Sequence, residues 1–171
     1  VNPSRYDFQN GNRITSERWL GMLRQLGHDV DMVREWGDED VDGLISLHAH
    51  YSADSIHRFH ESHPGKLLAV TLTGTDIYEK VKGSEVARRS LAEATHLIAL
   101  QPDAVQQLPE ELRSKGVVIF QSAIPEPPSP RNDDCYQIVV VGNLRDVKDP
   151  FLTAKATRLL THASKARVIH I

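Results

Sequence analysis

The residues best suited to chemistry sit in a few short strings. VVVGNLRDVKDP puts Arg145 and Lys148 in a loop that leaves an apolar strand at Gly142 and runs toward a helix at Pro150. Two cations beside the backbone N–H groups of Gly142 and Asn143 suit an anion such as a phosphate. The same residues also suit a solvated turn, with Arg145 and Lys148 paired to Asp146 and Asp149. The spacing is neither a P-loop nor Gly-x-Gly-x-x-Gly. His48-Ala49-His50 follows a strand end, which either turns an imidazole into a cleft or makes a hydrogen-bonded structural pair. His57, His60 and His63 crowd the next stretch but drift round a helix that stops at Pro64. Zinc needs convergent ligands, so no metal is expected. Asp76, after Thr73-Gly74-Thr75, could orient a ligand hydroxyl or cap the next segment. Gly11-Asn12 could bring N–H groups to a phosphate or simply turn the chain. Cys135 follows Asp133 and Asp134 and lacks the basic neighbour of an activated thiol. Trp19 and Trp36 are expected to pack.

Those loops need a scaffold. Residues 1–3 read as the end of a strand and residues 4–12 as a polar loop. From Arg13 the pattern is helical, with Ile14, Trp19, Leu20, Leu23 and Leu26 near one face and Gly27 placed to end it. Strands are predicted over residues 28–33, 44–48, 67–72, 96–100 and 117–120, and helices over 52–60 and 84–94. Two short helical pieces fall at residues 102–108 and 109–115. Short strands alternating with helices imply βαβ crossovers, hence an α/β, Rossmann-like domain on a parallel sheet. Such sheets bind ligands beyond the carboxyl ends of their strands, here the loops at residues 4–12, 48–52, 73–76, 101–103 and 121–123.

Residues 123–134 contain Pro125, Pro127, Pro128 and Pro130 and read as an interdomain linker. The α/β rhythm then restarts with a strand at 136–141, a loop at 142–149, a helix at 150–160 and a strand at 167–171. The expected division is residues 1–124, a linker at 125–134, and the opening of a second, similar domain at 135–171. With Val1-Asn2-Pro3 at one end and an uncapped apolar run at the other, the sequence reads as a piece of a longer protein. The 171 residues are 40% hydrophobic and 25% charged, which excludes a disordered or collagen-like chain. A net charge of −3 advertises neither nucleic acid nor an anionic membrane as partner. A single cysteine excludes an internal disulfide scaffold. No apolar run approaches the ~20 residues of a spanning helix. A cytoplasmic protein is the default expectation.

The strings GNRITSERW, LRQLGHDV, SLHAHYSADSI, LAVTLTGTDIY, LIALQPDAVQQLP, VIFQSAIP and VVGNLRDVKDP resemble GT-B glycosyltransferases of family 4. Within that group they are most similar to the selenosugar synthases of selenoneine biosynthesis, over nearly the whole chain. The resemblance implies two Rossmann-like domains, the acceptor side first and the nucleotide-sugar side second, and no metal cofactor. It implies transfer of a sugar from UDP-N-acetylglucosamine or UDP-glucose to selenophosphate, a small anionic acceptor, with release of UDP. Lys148 matches the family's diphosphate lysine; the arginine position is Asn143 here, and Arg145 lies two residues on. Gly11 and Asn12 match the glycine loop on the phosphate, and the backbone at Gly142 and Asn143 would assist Lys148. Arg13, His48, His50, Gln121 and Ser122 would face the acceptor, with Thr73 and Asp76 beside the reacting groups. Many members have histidine where Thr73 stands. A selenium anion needs no base to deprotonate it, which would make that imidazole dispensable. The family's Glu-bearing donor segment would lie beyond Ile171, so the 171-residue chain alone is expected to be inactive. An oxygen or sulfur acceptor, or a non-enzymatic binding module, would share most of these features.

Overall fold

The structure, a computed structural model, describes residues 1–4, 10–128, 134–142, 144, 146–161 and 163–171. It divides into two compact units, Val1–Ala123 and Ile124–Ile171.

The first unit is built on four parallel strands, β1 (Gly43–Leu47), β2 (Leu67–Leu72), β3 (His96–Ala99) and β4 (Gly116–Val118), lying in that order. The helices α1 (Gly11–Gln25), α2 (Ala53–Ser62), α3 (Val81–Gly83), α4 (Glu85–Glu93) and α5 (Pro102–Gln106) alternate with them. A π-helical turn, Asp76–Lys80, runs into α3, and a 3-10 turn spans Glu110–Lys115. β2 is LLAVTL with all but its first residue buried, the continuous apolar run of a strand covered on both faces. Leu44, Leu68, Val70, Leu72, Leu97 and Ala99 of the sheet pack in one core with Ile56 and Phe59 of α2 and Ala87 and Leu91 of α4. Fully burying a side chain the size of Phe59 or Ile56 contributes about 1.5–3 kcal/mol. The fold is therefore mixed α/β with a parallel sheet, as the alternation of elements predicts.

The chain's first residues extend that sheet. Val1 N donates to Ile45 O (2.6 Å) and Leu47 N–H to Val1 O (3.0 Å), the alternation of a parallel ladder. On the other side Asn2 N–H donates to Val33 O (2.9 Å). Residues 1–2 thus lie between residue 33 and β1, and strand order reverses beside β1. The carboxyl end of such a switch point is where open α/β sheets hold ligands.

Three local expectations are corrected. Residues 28–33 form no strand: the Arg24 guanidinium occupies the Val30 carbonyl at 2.7 and 3.1 Å, and the Val33 carbonyl accepts from Asn2 N–H. α1 starts at Gly11 rather than Arg13, because the Asn10 side chain caps it by accepting from Arg13 N–H at 3.0 Å. Its buried residues are Thr15 and Ser16, while Ile14 and Leu26 are exposed. Both hydroxyls bond back to the carbonyls of Gly11 and Asn12 and so enter the interior satisfied. The C-terminus follows expectation: Gly27 at φ 90° closes it, with Gly27 N–H on Arg24 O and His28 N–H on Leu23 O.

In the second unit β5 (Tyr136–Val140) pairs in parallel with β6 (Ala166–His170). A 3-10 turn, Asp146–Lys148, precedes α6 (Leu152–Thr157), which is shorter than the expected residues 150–160. Asp149, at φ 38°, accepts the Leu152 N–H and delays the helix start. None of this unit's described side chains is buried. Among the described residues no helix is long and apolar enough to cross a membrane.

Candidate functional site

The polar groups of the first unit concentrate at the carboxyl ends of β1 and β2. β1 passes into His48, which adopts φ 74° and still donates its N–H to Thr71 O (3.0 Å). A side chain in that backbone region costs on the order of 1–3 kcal/mol and persists only where the surroundings enforce it. Here Ser52 enforces it, its hydroxyl donating to Leu47 O (2.7 Å) and its N–H to His48 O (3.1 Å).

From the neighbouring strand end comes Asp76, with 0% of its surface exposed. Its carboxylate accepts the Ala49 N–H at 2.6 Å, the His50 N–H at 3.4 Å, and lies 3.1 Å from His48 Nδ1. A carboxylate this deep is tolerable only when donors surround it. Tyr51 N–H also approaches His48 Nδ1, at 3.3 Å. One nitrogen cannot donate to Asp76 and accept from Tyr51. The hydrogen bond is the one from Tyr51 N–H to Nδ1, and the Asp76 carboxylate lies against the ring without accepting from it. On the far side of the ring Nε2 lies 3.5 Å from Thr75 Oγ1.

The rest of the edge is organised around this pair. The Tyr51 ring lies on the His48 ring, centroids 4.2 Å apart, and is itself exposed. His50 Nδ1 meets Ser84 Oγ at 2.8 Å, and that hydroxyl also caps α4 by accepting Ala87 N–H. The hydroxyls of Thr71 and Thr73, two residues apart on one face of β2 and its extension, are buried without a partner among the described residues. The π-helical turn places Tyr78 so that its phenol donates to Asp103 (2.8 Å) and accepts from Gln101 (2.5 Å). Lost hydration and the Asp103 carboxylate hold that phenol above its ordinary pKa. π-Helical turns recur at functional sites.

The structure thus brings together Thr73, Asp76, His48 and His50 of the expected residues. Asp76 faces inward, so it positions the two loops rather than meeting a ligand. A second group gathers at α1. Gly11 and Asn12 are its first two residues, whose N–H groups have no acceptor within a helix. Arg13 bonds Glu17 at 2.6 Å. Gln121 donates to Thr15 Oγ1 (3.0 Å), and Ser122 accepts from Arg18 Nε (2.5 Å). In the second unit Lys148 ends the 3-10 turn with its side chain exposed. The Gly142 N–H donates to Ile171 O at 3.0 Å, which removes it from the expected anion-binding donors. Asn143 and Arg145 lie outside the described residues.

No family model matches the chain, and no curated protein matches it.

Among the described residues no group of three or more His, Cys, Asp or Glu side chains could hold a metal ion. His57 and His63 are engaged apart, His57 with Ser90 and Glu93, His63 against Phe59 and Trp36. An open groove of about 410 Å³ lies beside the edge, between the starts of α2 and α4, lined by Ala53, Asp54, His57, Glu85, Val86 and Arg89. Thr75 and Tyr51 were anticipated only as members of the loops at residues 73–76 and 48–52, while Ser84, Thr15 and Arg18 escaped the sequence reading as site partners. Ser84 alone carries a legible signal, a serine at the start of a helical pattern. The edge can orient an imidazole, present hydroxyls and offer an exposed aromatic face.

Proposed function

We propose that the protein is a GT-B glycosyltransferase that moves a sugar from a UDP-sugar, UDP-N-acetylglucosamine or UDP-glucose, to selenophosphate in the cytoplasm, giving a selenosugar. The observation that carries this reading is the inward-turned polar cluster of His48, Asp76 and Thr73 at the carboxyl edge of a parallel sheet, next to a switch in strand order. In this reading the first unit takes the acceptor, through the His48–Tyr51 and Thr73–Asp76 loops and the start of α1. The exposed Lys148 ammonium meets the diphosphate and offsets charge on the departing UDP. Removing one preorganised contact of that kind lowers kcat by about 10²–10³-fold.

One observation favours a second acceptor class. The imidazole absent at Thr73 is supplied nearby by His48, whose Nε2 faces Thr75. An imidazole in place weakens the argument that the acceptor must arrive deprotonated, and it supports an oxygen or sulfur acceptor that gives up a proton. The test is UDP release by the full-length protein with UDP-glucose or UDP-N-acetylglucosamine and selenophosphate, thiophosphate or a sugar alcohol in parallel. The proposal expects release with selenophosphate and a 10²–10³-fold loss in Lys148→Ala. Release only with the alcohol selects the second acceptor class. Turnover indifferent to Lys148→Ala places the diphosphate elsewhere, and no release with any acceptor favours a binding module.

A further inference from the structure

We infer that Tyr51 is the sugar platform of this edge: its free face stacks on the hexose of the donor and sets the protein's affinity for that ring. That the hexose is carried by UDP rests on the transferase reading; the platform itself rests on geometry.

Exposed side chains ordinarily flip between rotamers, and Tyr51 is 60% exposed. Three contacts hold this one. Its N–H donates to His48 Nδ1 at 3.3 Å, its ring lies on the His48 ring with centroids 4.2 Å apart, and the His50 ring meets it at a steep angle, centroids 5.2 Å apart. His48 is itself buried and holds the φ of 74° that turns the chain at the end of β1. The strained residue is therefore the bed on which a surface ring is fixed. A ring fixed in advance has little freedom left to lose, so a ligand on its open face binds at a lower entropic cost.

The flanks carry the groups a sugar needs. The carbon-bound hydrogens of a glucose-type ring make an apolar face, and its hydroxyls project from the rim. A site for it combines an aromatic face with a few placed polar groups. Beside Tyr51, the half-buried His50 has Nδ1 on Ser84 Oγ and Nε2 without a partner among the described residues. The partly exposed Thr75 hydroxyl adjoins the same stack, 3.5 Å from His48 Nε2. A donor hexose must bring its anomeric carbon to the acceptor. With the acceptor at this edge, the hexose is the ring that reaches Tyr51, and the uracil lies a diphosphate away. The platform acts on the donor, so it serves an anionic acceptor and an alcohol alike.

The first test is NMR on the tyrosine-labelled full-length protein, with the Tyr51 ring signals assigned by their loss in Tyr51→Phe. Methyl glucoside should shift those signals, UDP-glucose should shift them at lower concentration, and UDP should leave them in place. Equal shifts with UDP put the nucleotide on the ring and overturn the platform, as do signals that stay still with both sugars. Shifts with the glucoside but no tighter response to UDP-glucose sink the transferase reading and leave the platform standing. The second test separates a platform from a mere cover over His48. Tyr51→Leu keeps an apolar side chain there, and it should raise KM for UDP-glucose about tenfold with kcat little changed, the mark of binding shared by ground and transition states. Tyr51→Trp, which restores an aromatic face, should recover most of that loss. A wild-type KM in Tyr51→Leu shows that the ring only covers His48 and overturns the inference. Should the wild-type protein not turn over, the glucoside titration decides.

Discussion

The two ends of the same sheet treat charge in opposite ways. At the amino end, ahead of β1 and β2, ion pairs lie on the surface: Arg58 with Asp38 at 2.8 Å, and Lys66 with Asp40 at 2.5 Å, Asp40 being 88% exposed. Beneath them the packing is aromatic, with Trp36 edge-on to Phe59 and His63 stacked on Phe59. At the carboxyl end the order is inverted. Asp76 and His48 are buried, and the aromatic Tyr51 is exposed above them. Surface pairs over an apolar floor serve stability and solubility, and each is worth little. A buried, donor-saturated carboxylate beside a strained backbone is an expensive arrangement, found where geometry has to be held for a ligand.

The sharpest way to break this contrast is to remove one carboxylate from each end. Asp76→Ala takes the acceptor from the Ala49 and His50 N–H groups and should lower stability by about 1–3 kcal/mol, read by urea denaturation. An Asp76→Ala protein as stable as wild type would erase the difference between the ends. A smaller effect is expected at Ser84, which caps α4 and also holds His50. Ser84→Ala should lose about 1 kcal/mol in the same measurement. Its second signature is a changed His50 ring environment in the NMR spectrum. The smallest effect belongs to Asp40. The Lys66 ammonium donates to Asp40, and its charge adds to that of His63, holding the carboxyl below its ordinary pKa. A depressed folded-state value means the unfolded chain binds its proton first as pH falls, so the contribution is present above the ordinary carboxylate range and disappears below it. Wild type should therefore slightly exceed Asp40→Asn in melting temperature at neutral pH and low salt. The gap should close both on acidification and in molar salt.

Much of the scaffold was legible because its signals are local. β2 was read to the residue, since an apolar, β-branched run lies between Pro64-Gly65 and Thr73-Gly74. Gly27 announced the end of α1 through the left-handed conformation it adopts. The strand expected at residues 28–33 is absent: a side chain, Arg24, holds a carbonyl that alternation assigned to a ladder. The inward face of α1 was misread because Thr15 and Ser16 satisfy their own hydroxyls, which hydrophobic periodicity does not count. His48 and Asp76 each stood out, but their pairing, 28 positions apart, exists only through the register that sets Leu47 beside Thr71. Thr75 was legible only as a member of the loop at residues 73–76; its place beside the His48 ring comes from the neighbouring strand end.

The most direct test of the central claim, that the carboxyl edge of the first unit is the ligand face, is residue-resolved amide NMR during titration with UDP-glucose and with selenophosphate. The account predicts shifts at residues 49–52 and 74–76 and at the start of α1, with residues 38–41 and 63–66 still. Shifts confined to the amino end of the sheet, or none with either ligand, would contradict it.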